Sequence, residues 1–316
     1  MMPRDTGTEA SRDPRSLRKE IGKKRQLIRS ILRWYSLDGR KLPWRGERNL
    51  YRVLVSEIML QQTQVSRVLQ KYPLFLGLFP SFSSLSKAKP AAVIRAWQGM
   101  GYNKRAIRLH QLARMVMERH NGRLPASIEE LSSLPGVGRY TAHAIACFAT
   151  NKPVPVVDTN IRRVLGRIYP KHSKAMSVWD LAQRALPATG TYDWNQALMD
   201  LGATICVSSS PKCPVCPVRA VCPSAFIVKP TVGKKANREP SREGIPNRIY
   251  RGRIVETLRR LPHQRALTIA QLGPRIKKSF SQQDKRWLHE LLQRLEKDGL
   301  VKMKIGPRAL SISLPT

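Results

Sequence analysis

The chain has 316 residues, enough for about two domains with cores of ordinary size, and 41% of them are hydrophobic, which excludes a disordered chain. Lys and Arg number 57 against 21 Asp and Glu, a formal charge of +36. Solubilising surfaces mix both signs, so this excess points to a polyanionic partner. No apolar run of about 18 residues and no amphipathic anchor appears, which favours nucleic acid over membrane. With no apolar signal core at the N-terminus, the expected location is the cytoplasm, on the nucleoid.

Residues 1–25 are polar and basic and are expected to form a disordered arm. From 26 to 226 the apolar spacing is helical. Val53, Leu54, Ile58 and Leu60 continue towards Val65 and Val68, and Ile107, Leu109, Leu112, Met115 and Val116 mark another helix. Ser127 followed by Glu130 is a capping-box pattern opening a helix through Leu131 and Leu134. Strand alternation is not convincing anywhere in this region. Residues 227–246 are rich in Pro, Gly and charge and read as a linker. A second unit spans 247–316, with helices over 249–261 and 283–297, a turn at Asp298-Gly299, and two strands in LVKMKI and ALSISL. Helices followed by a hairpin predict a small winged-helix-like module. Lys277, Lys278, Lys285 and Arg286 would let it touch DNA, although such modules also dock proteins.

Four of the five cysteines, Cys206, Cys213, Cys216 and Cys222, read C-x6-C-x2-C-x5-C. Four thiolates at short spacing suit zinc or a [4Fe–4S] cluster. One uninterrupted loop over 206–222 favours the compact cluster over paired zinc knuckles. Pro211, Pro214, Pro217 and Pro223 stiffen this loop, and Lys212 and Arg219 could approach phosphate. Cys147, within AIACFA, reads as a buried structural thiol.

LPGVGRYTA joins two predicted helices. Gly136 and Gly138 allow a tight turn, so that amides around Val137, Gly138, Arg139 and Tyr140 can face a phosphate at the next helix's N-terminus. Asp158 follows the apolar run 154–157 and precedes a helix that carries Asn160, Arg162 and Arg163 on its first turn. It reads either as an N-cap or as a catalytic carboxylate. Glu57, in SEIMLQQTQV, reads either as an exposed helix residue or as a desolvated acid whose pKa is raised, a candidate proton donor.

Together these segments resemble the helix-hairpin-helix glycosylase superfamily that includes endonuclease III, over about residues 26–226. LPWR (42–45), SEIMLQQTQV (56–65), WQGMGY (97–102) and WNQALMDLGATIC (194–206) resemble its MutY-type members most. The resemblance implies a mostly α fold with an iron–sulfur loop. It implies a monomeric enzyme that hydrolyses the N-glycosidic bond of a mispaired base in double-stranded DNA, adenine opposite G or 8-oxoguanine. Glu57 matches the glutamate that protonates adenine, Asp158 the aspartate that stabilises the sugar cation, and Asn160 the asparagine that supports the site. Gln62 and Tyr102 fall in motifs that probe the helix beside the flipped base. Tyr140 stands where strand-cleaving relatives carry lysine, which implies a monofunctional glycosylase. The chain departs from the MutY pattern at Asn103, where a second tyrosine is usual. It departs again at 247–316, too short for the Nudix-like domain those enzymes carry. A thymine or uracil mismatch glycosylase of the same superfamily is the alternative reading, and a noncatalytic DNA-binding protein is another.

Overall fold

The computed structural model describes residues 14–227, 239–262, 265–306 and 309–316. The helices of its first two hundred residues are α1 (Pro14–Asp38), α2 (Leu50–Leu60), α3 (Val65–Leu78), α4 (Phe82–Lys87), α5 (Pro90–Ala96), α6 (Lys104–Arg119), α7 (Ile128–Ser133), α8 (Arg139–Phe148), α9 (Thr159–Ile168), α10 (His172–Ala175), α11 (Val178–Ala185) and α12 (Thr191–Thr204). Beyond the cysteine loop come β1 (Ser241–Arg242), β2 (Ile245–Pro246), α13 (Asn247–Arg259), β3 (Leu267–Thr268), α14 (Ile269–Ile276), α15 (Lys285–Lys297), β4 (Lys302–Ile305) and β5 (Leu310–Ser313). The architecture is mostly helical, as the spacing predicts, and no helix among the described residues is long and apolar enough to cross a membrane.

The described residues divide into two units. One holds 14–41 and 151–227, the other 42–150 and 239–316. In the first, Leu27 and Ile31 of α1, Ile161, Val164, Leu165 and Ile168 of α9, and Trp194, Leu198 and Leu201 of α12 form the core. Their i, i+3, i+4, i+7 spacing on α9 is the apolar stripe of an amphipathic helix. In the second unit, Leu54 and Ile58 of α2, Phe75 of α3, Trp97, and Leu109 and Leu112 of α6 make one core. A further cluster joins Ile94 and Ile107 to Leu258, Leu291, Leu295 and Ile312 of the C-terminal segment.

Four expectations change. Residues 14–25 of the expected arm are helical, because their Lys, Arg and Glu side chains favour the helix and α1 extends back through them; residues 1–13 lie outside the described residues. The apolar run of 53–68 is two helices rather than one. Between α2 and α3 the polar Gln61, Gln62, Thr63 and Gln64 offer nothing to bury, and Gln62 turns to a left-handed φ of 53°. Residues 228–238 of the linker lie outside the described residues, and its end pairs as the antiparallel β1–β2. Finally, the C-terminal sheet has three antiparallel strands in the order β3-β5-β4, with Ile312 of β5 opposite both Leu267 and Met303. The additional strand is only two residues long and leads directly into α14, where Thr268 closes a capping box with Gln271. No alternation can build up over so short a run.

Candidate active site

Glu57 lies on α2 and is 5% exposed, so it is not a solvent-facing helix residue. Its helix packs against α8, the second helix of the α7–turn–α8 hairpin. In that turn Gly136 has φ +82°, open to glycine at little cost, and a Cβ there would come 3.1 Å from the Arg108 Cβ. Gly138 precedes α8, and no side chain caps this end, so the first turn presents the amide ends that a helix N-terminus leaves outside its own ladder. Val137 plays another part than expected: its amide donates to the Leu134 carbonyl at 3.1 Å and its side chain is buried. Arg139 is exposed and Tyr140 half-buried.

Gln62 and Tyr102 are both exposed, and both hold positive φ, 53° and 43°. Non-glycine residues occupy that region only when their surroundings enforce it. The enforcing residue is Arg105, which nothing in the sequence separates from the other basic residues. Its guanidinium donates to the carbonyls of Ile58 and Met59 at the end of α2, to Thr63 Oγ1 at 2.8 Å, and to the carbonyls of Met100 and Gly101. Burial lowers its pKa to about 10. Gln61 reaches the other way, donating to the Gly136 carbonyl and Thr141 Oγ1, both at 3.3 Å. The Gln62 turn, the Tyr102 turn and the hairpin are thereby tied together.

The remaining expected residues belong to the other unit. Asp158 is the N-cap of α9: one carboxylate oxygen accepts from the Ile161 amide at 2.6 Å and the other from Asn160 Nδ2 at 2.8 Å. Of the two expectations for Asp158, the geometry shows the N-cap. Burial raises its pKa, against those hydrogen bonds and the nearby Arg163. The segment leading to it is fixed by Asn195, which accepts from the Val156 amide and donates to the carbonyls of Val154 and Thr191. Arg163 donates to Asn160 Oδ1 and to the carbonyls of Gly202 and Cys206, at 2.8, 2.6 and 2.8 Å. The aspartate is thus linked, through Asn160 and Arg163, to the start of the cysteine loop. The adjacent arginines of α9 are visible in the sequence, but not which of them turns inward.

The four loop cysteines line one cavity together with Leu201, Ile205 and Val218, and none forms a disulfide. No three His, Cys, Asp or Glu side chains among the described residues gather about a single point tightly enough to hold one ion. Arg167 donates to Cys206 Sγ at 3.2 Å and to the carbonyls of Val207 and Ser208. Burial pushes the Cys216 thiol up to about 11 and the Cys222 thiol upward, each raised further by neighbouring sulfurs. Four thiolates in this space need a compensating cation. Lys212 and Arg219 are exposed on the same loop.

In the C-terminal segment Lys278, Lys285 and Arg286 are exposed, but Lys277 is not available to DNA. It is buried, with its ammonium 2.9 Å from Asp284 and 2.8 Å from Glu243.

Helical layers with a glycine-bearing turn between α7 and α8 define a helix-hairpin-helix protein, and residues 55–186 match the HhH-GPD superfamily of base excision DNA repair proteins. The chain is 39% identical to the adenine DNA glycosylase of Mycolicibacterium smegmatis over 235 residues, 72% of this chain and 79% of that protein. It is 40% identical to the adenine DNA glycosylase of Buchnera aphidicola over 62% of this chain and 57% of that protein. Among solved structures it resembles a thermostable thymine-DNA glycosylase, with TM-score 0.63 and 31% identity, over 66% of this chain and 99% of that one. The chain belongs to the MutY-type, adenine DNA glycosylase family of the helix-hairpin-helix superfamily.

Proposed function

We propose that this protein is a monofunctional adenine DNA glycosylase that removes mispaired adenine from double-stranded DNA, opposite G or 8-oxoguanine, acting as a monomer. One observation carries the reading. The chain is 39% identical to an adenine DNA glycosylase over 235 residues, and the family region 55–186 holds both a buried glutamate, Glu57, and a capped aspartate, Asp158.

The target base leaves the stack, at a cost of a few kcal/mol, before its bond can be reached. Glu57 donates a proton to the purine, turning it into a better leaving group. The C1′–N bond breaks, adenine departs with that proton and the bonding electrons, and positive charge develops on the deoxyribose. Asp158 stabilises that charge, oriented by Asn160. Water adds its hydroxyl to C1′, its remaining proton returns to the carboxylate of Glu57, and an abasic site is left. Tyr140 offers no amine, so no Schiff base forms at that position and the strand stays intact. Gln62 and Tyr102 read the duplex around the extruded base, while Gly136, Gly138 and Arg139 anchor backbone phosphate.

Cys206, Cys213, Cys216 and Cys222 would hold a [4Fe–4S] cluster. Sulfurs lining the walls of a cavity, rather than meeting at one point, suit a polynuclear group. When bound, the cluster supplies structural charge compensation to the loop. Residues 247–316 form the winged-helix-like module, whose exposed Lys278, Lys285 and Arg286 are offered to duplex phosphate.

The likeness to a thymine-DNA glycosylase favours one second reading, thymine or uracil excision from a mismatch. A panel of duplexes with A, T, U or hypoxanthine opposite G, C or 8-oxoguanine separates the two. Release of adenine, lost in Glu57→Gln and Asp158→Asn with duplex binding retained, is the expected result. Release of thymine or uracil alone would establish the second reading, and no release from any duplex would refute both.

A further inference from the structure

The turn that carries Tyr102 is held from two directions. Arg105 ties it to the Gln62 turn, as described. The C-terminal module holds it on the other side. Ile94 of α5 and Ile107 of α6, the two helices flanking this turn, are buried in the module's apolar cluster with Tyr250, Leu258 and Leu295. Polar contacts follow the chain between them. Arg95 donates to the carbonyls of Arg259 and Leu261, Gln98 donates to Glu256 at 2.6 Å, and Lys104 meets Asp298 at 2.6 Å.

At the centre is Arg259, 8% exposed. Its Nε donates to the Ile94 carbonyl at 2.8 Å and one terminal nitrogen donates to Asn103 Oδ1 at 2.7 Å. Asn103 directly follows Tyr102, at the position where the resemblance leads one to expect a second tyrosine. A tyrosine has no side-chain carbonyl, whereas Asn103 offers one acceptor that a buried guanidinium takes. The acceptor is not occupied in capping α6, since Asn103 makes no side-chain cap hydrogen bond there. The neighbouring left-handed Tyr102 therefore has its C-terminal side fixed to the module and its N-terminal side fixed to Arg105.

We infer that the C-terminal module is a positioning element of the glycosylase site, and that Arg259, acting through Asn103, holds Tyr102 in its duplex-reading conformation. The inference rests on the proposed reading of Tyr102 as a residue that probes DNA. Arg259 is a positioning residue; it acts on the base only through the turn. The module thus takes part in recognition through contacts with α5 and α6, besides any phosphate it touches itself.

The test uses the full chain and a duplex with adenine opposite 8-oxoguanine. Single-turnover base release is followed in parallel with the fluorescence of 2-aminopurine beside the target, which reports unstacking. Asn103→Leu and Arg259→Leu should each slow release about ten- to a hundredfold, the range of a hydrogen bond to a charged group, and should weaken the unstacking signal. The double variant should be no slower than the singles, and Asn103→Asp, which keeps the acceptor, should stay near the wild-type rate. Wild-type behaviour of Asn103→Leu, equal losses in Asn103→Leu and Asn103→Asp, or effects of the two leucine variants that simply multiply would each overturn the inference. If Arg259→Leu does not fold, the contrast between the two Asn103 variants decides alone. If the wild-type chain releases no base, the glycosylase reading fails, and the unstacking signal across the same variants still decides this one.

Discussion

Asp158 and Asn160 are joined by a hydrogen bond of 2.8 Å from the side-chain amide to the carboxylate, and Asn160 cannot flip to break it. Its Oδ1 accepts from Arg163 at 2.8 Å, so a flipped amide would set its NH2 against the guanidinium and its oxygen against the carboxylate. Asn160→Ala removes the donor and leaves the cap from Ile161. A hydrogen bond to a charged group contributes about 1.5–3 kcal/mol, so base release should fall about ten- to a hundredfold. Duplex affinity, measured by fluorescence anisotropy, should change little. A comparable loss in both quantities would mean that Asn160 serves binding instead.

Gly202 is the reason α12 can approach this pair. A Cβ there would lie 2.6 Å from the Asn160 Cβ and 3.1 Å from its Cα, atoms that cannot rotate away. Gly202→Ala should lower stability by about 1–3 kcal/mol in urea unfolding, the usual cost of overpacking, and should slow base release by moving Asn160. Gly166, inside α9, is the control, since a Cβ there meets nothing within 4 Å. Gly166→Ala should stabilise by about 0.4–1 kcal/mol and leave the rate alone.

Burial raises the pKa of Asp158 above its usual 3.8. The ionised form does the proposed work, so base release should begin to fail on acidification at a higher pH than an exposed aspartate would dictate. For stability the sign is opposite. Between 3.8 and the raised value the native state binds more protons than the unfolded state, so stability declines as pH rises through that window. Asp158→Asn, which can still cap α9, should therefore lose activity while melting no lower than the parent at pH 7. A large drop in melting temperature would show that the charge is needed for folding.

How far the sequence reveals this site depends on whether a residue's role is local. Asp158 is legible because an N-cap follows from its own neighbours, and the cysteine loop because all four thiols share one short segment. The burial of Glu57 is not legible, because it requires α8 to cover α2 from far along the chain. Arg105, Arg163 and Arg259 are lost among 57 basic residues; each acts by turning inward onto carbonyls, and nothing in their flanking residues marks that choice. The break at Gln62 is missed because apolar spacing alone runs on through it. The short β3 is missed because two residues cannot show a period.

Inside the C-terminal module, Asp284 is held well below the usual carboxylate value of 3.8, first by Lys277 and then by the Ser281 amide and Arg242, against its burial. Here the unfolded state binds the proton more readily. The stabilisation is complete above about pH 4 and is lost as pH falls through the lower native value. The wild-type module should therefore unfold more easily in denaturant as the solution is acidified. Asp284→Asn should be weaker at neutral pH, because it removes one of the two carboxylates that hold the buried ammonium of Lys277, and its stability should change less in acid. The measurement is the urea midpoint from pH 7 to pH 3, followed by the Trp287 contribution to the fluorescence, taken as the difference from a Trp287→Phe chain that keeps the other five tryptophans. The Trp287 indole packs edge-on to Tyr250 and lies 5.7 Å below the Arg242 guanidinium, so it reports this corner of the module. Parallel pH profiles for the two proteins would show that some other carboxylate governs the acid response.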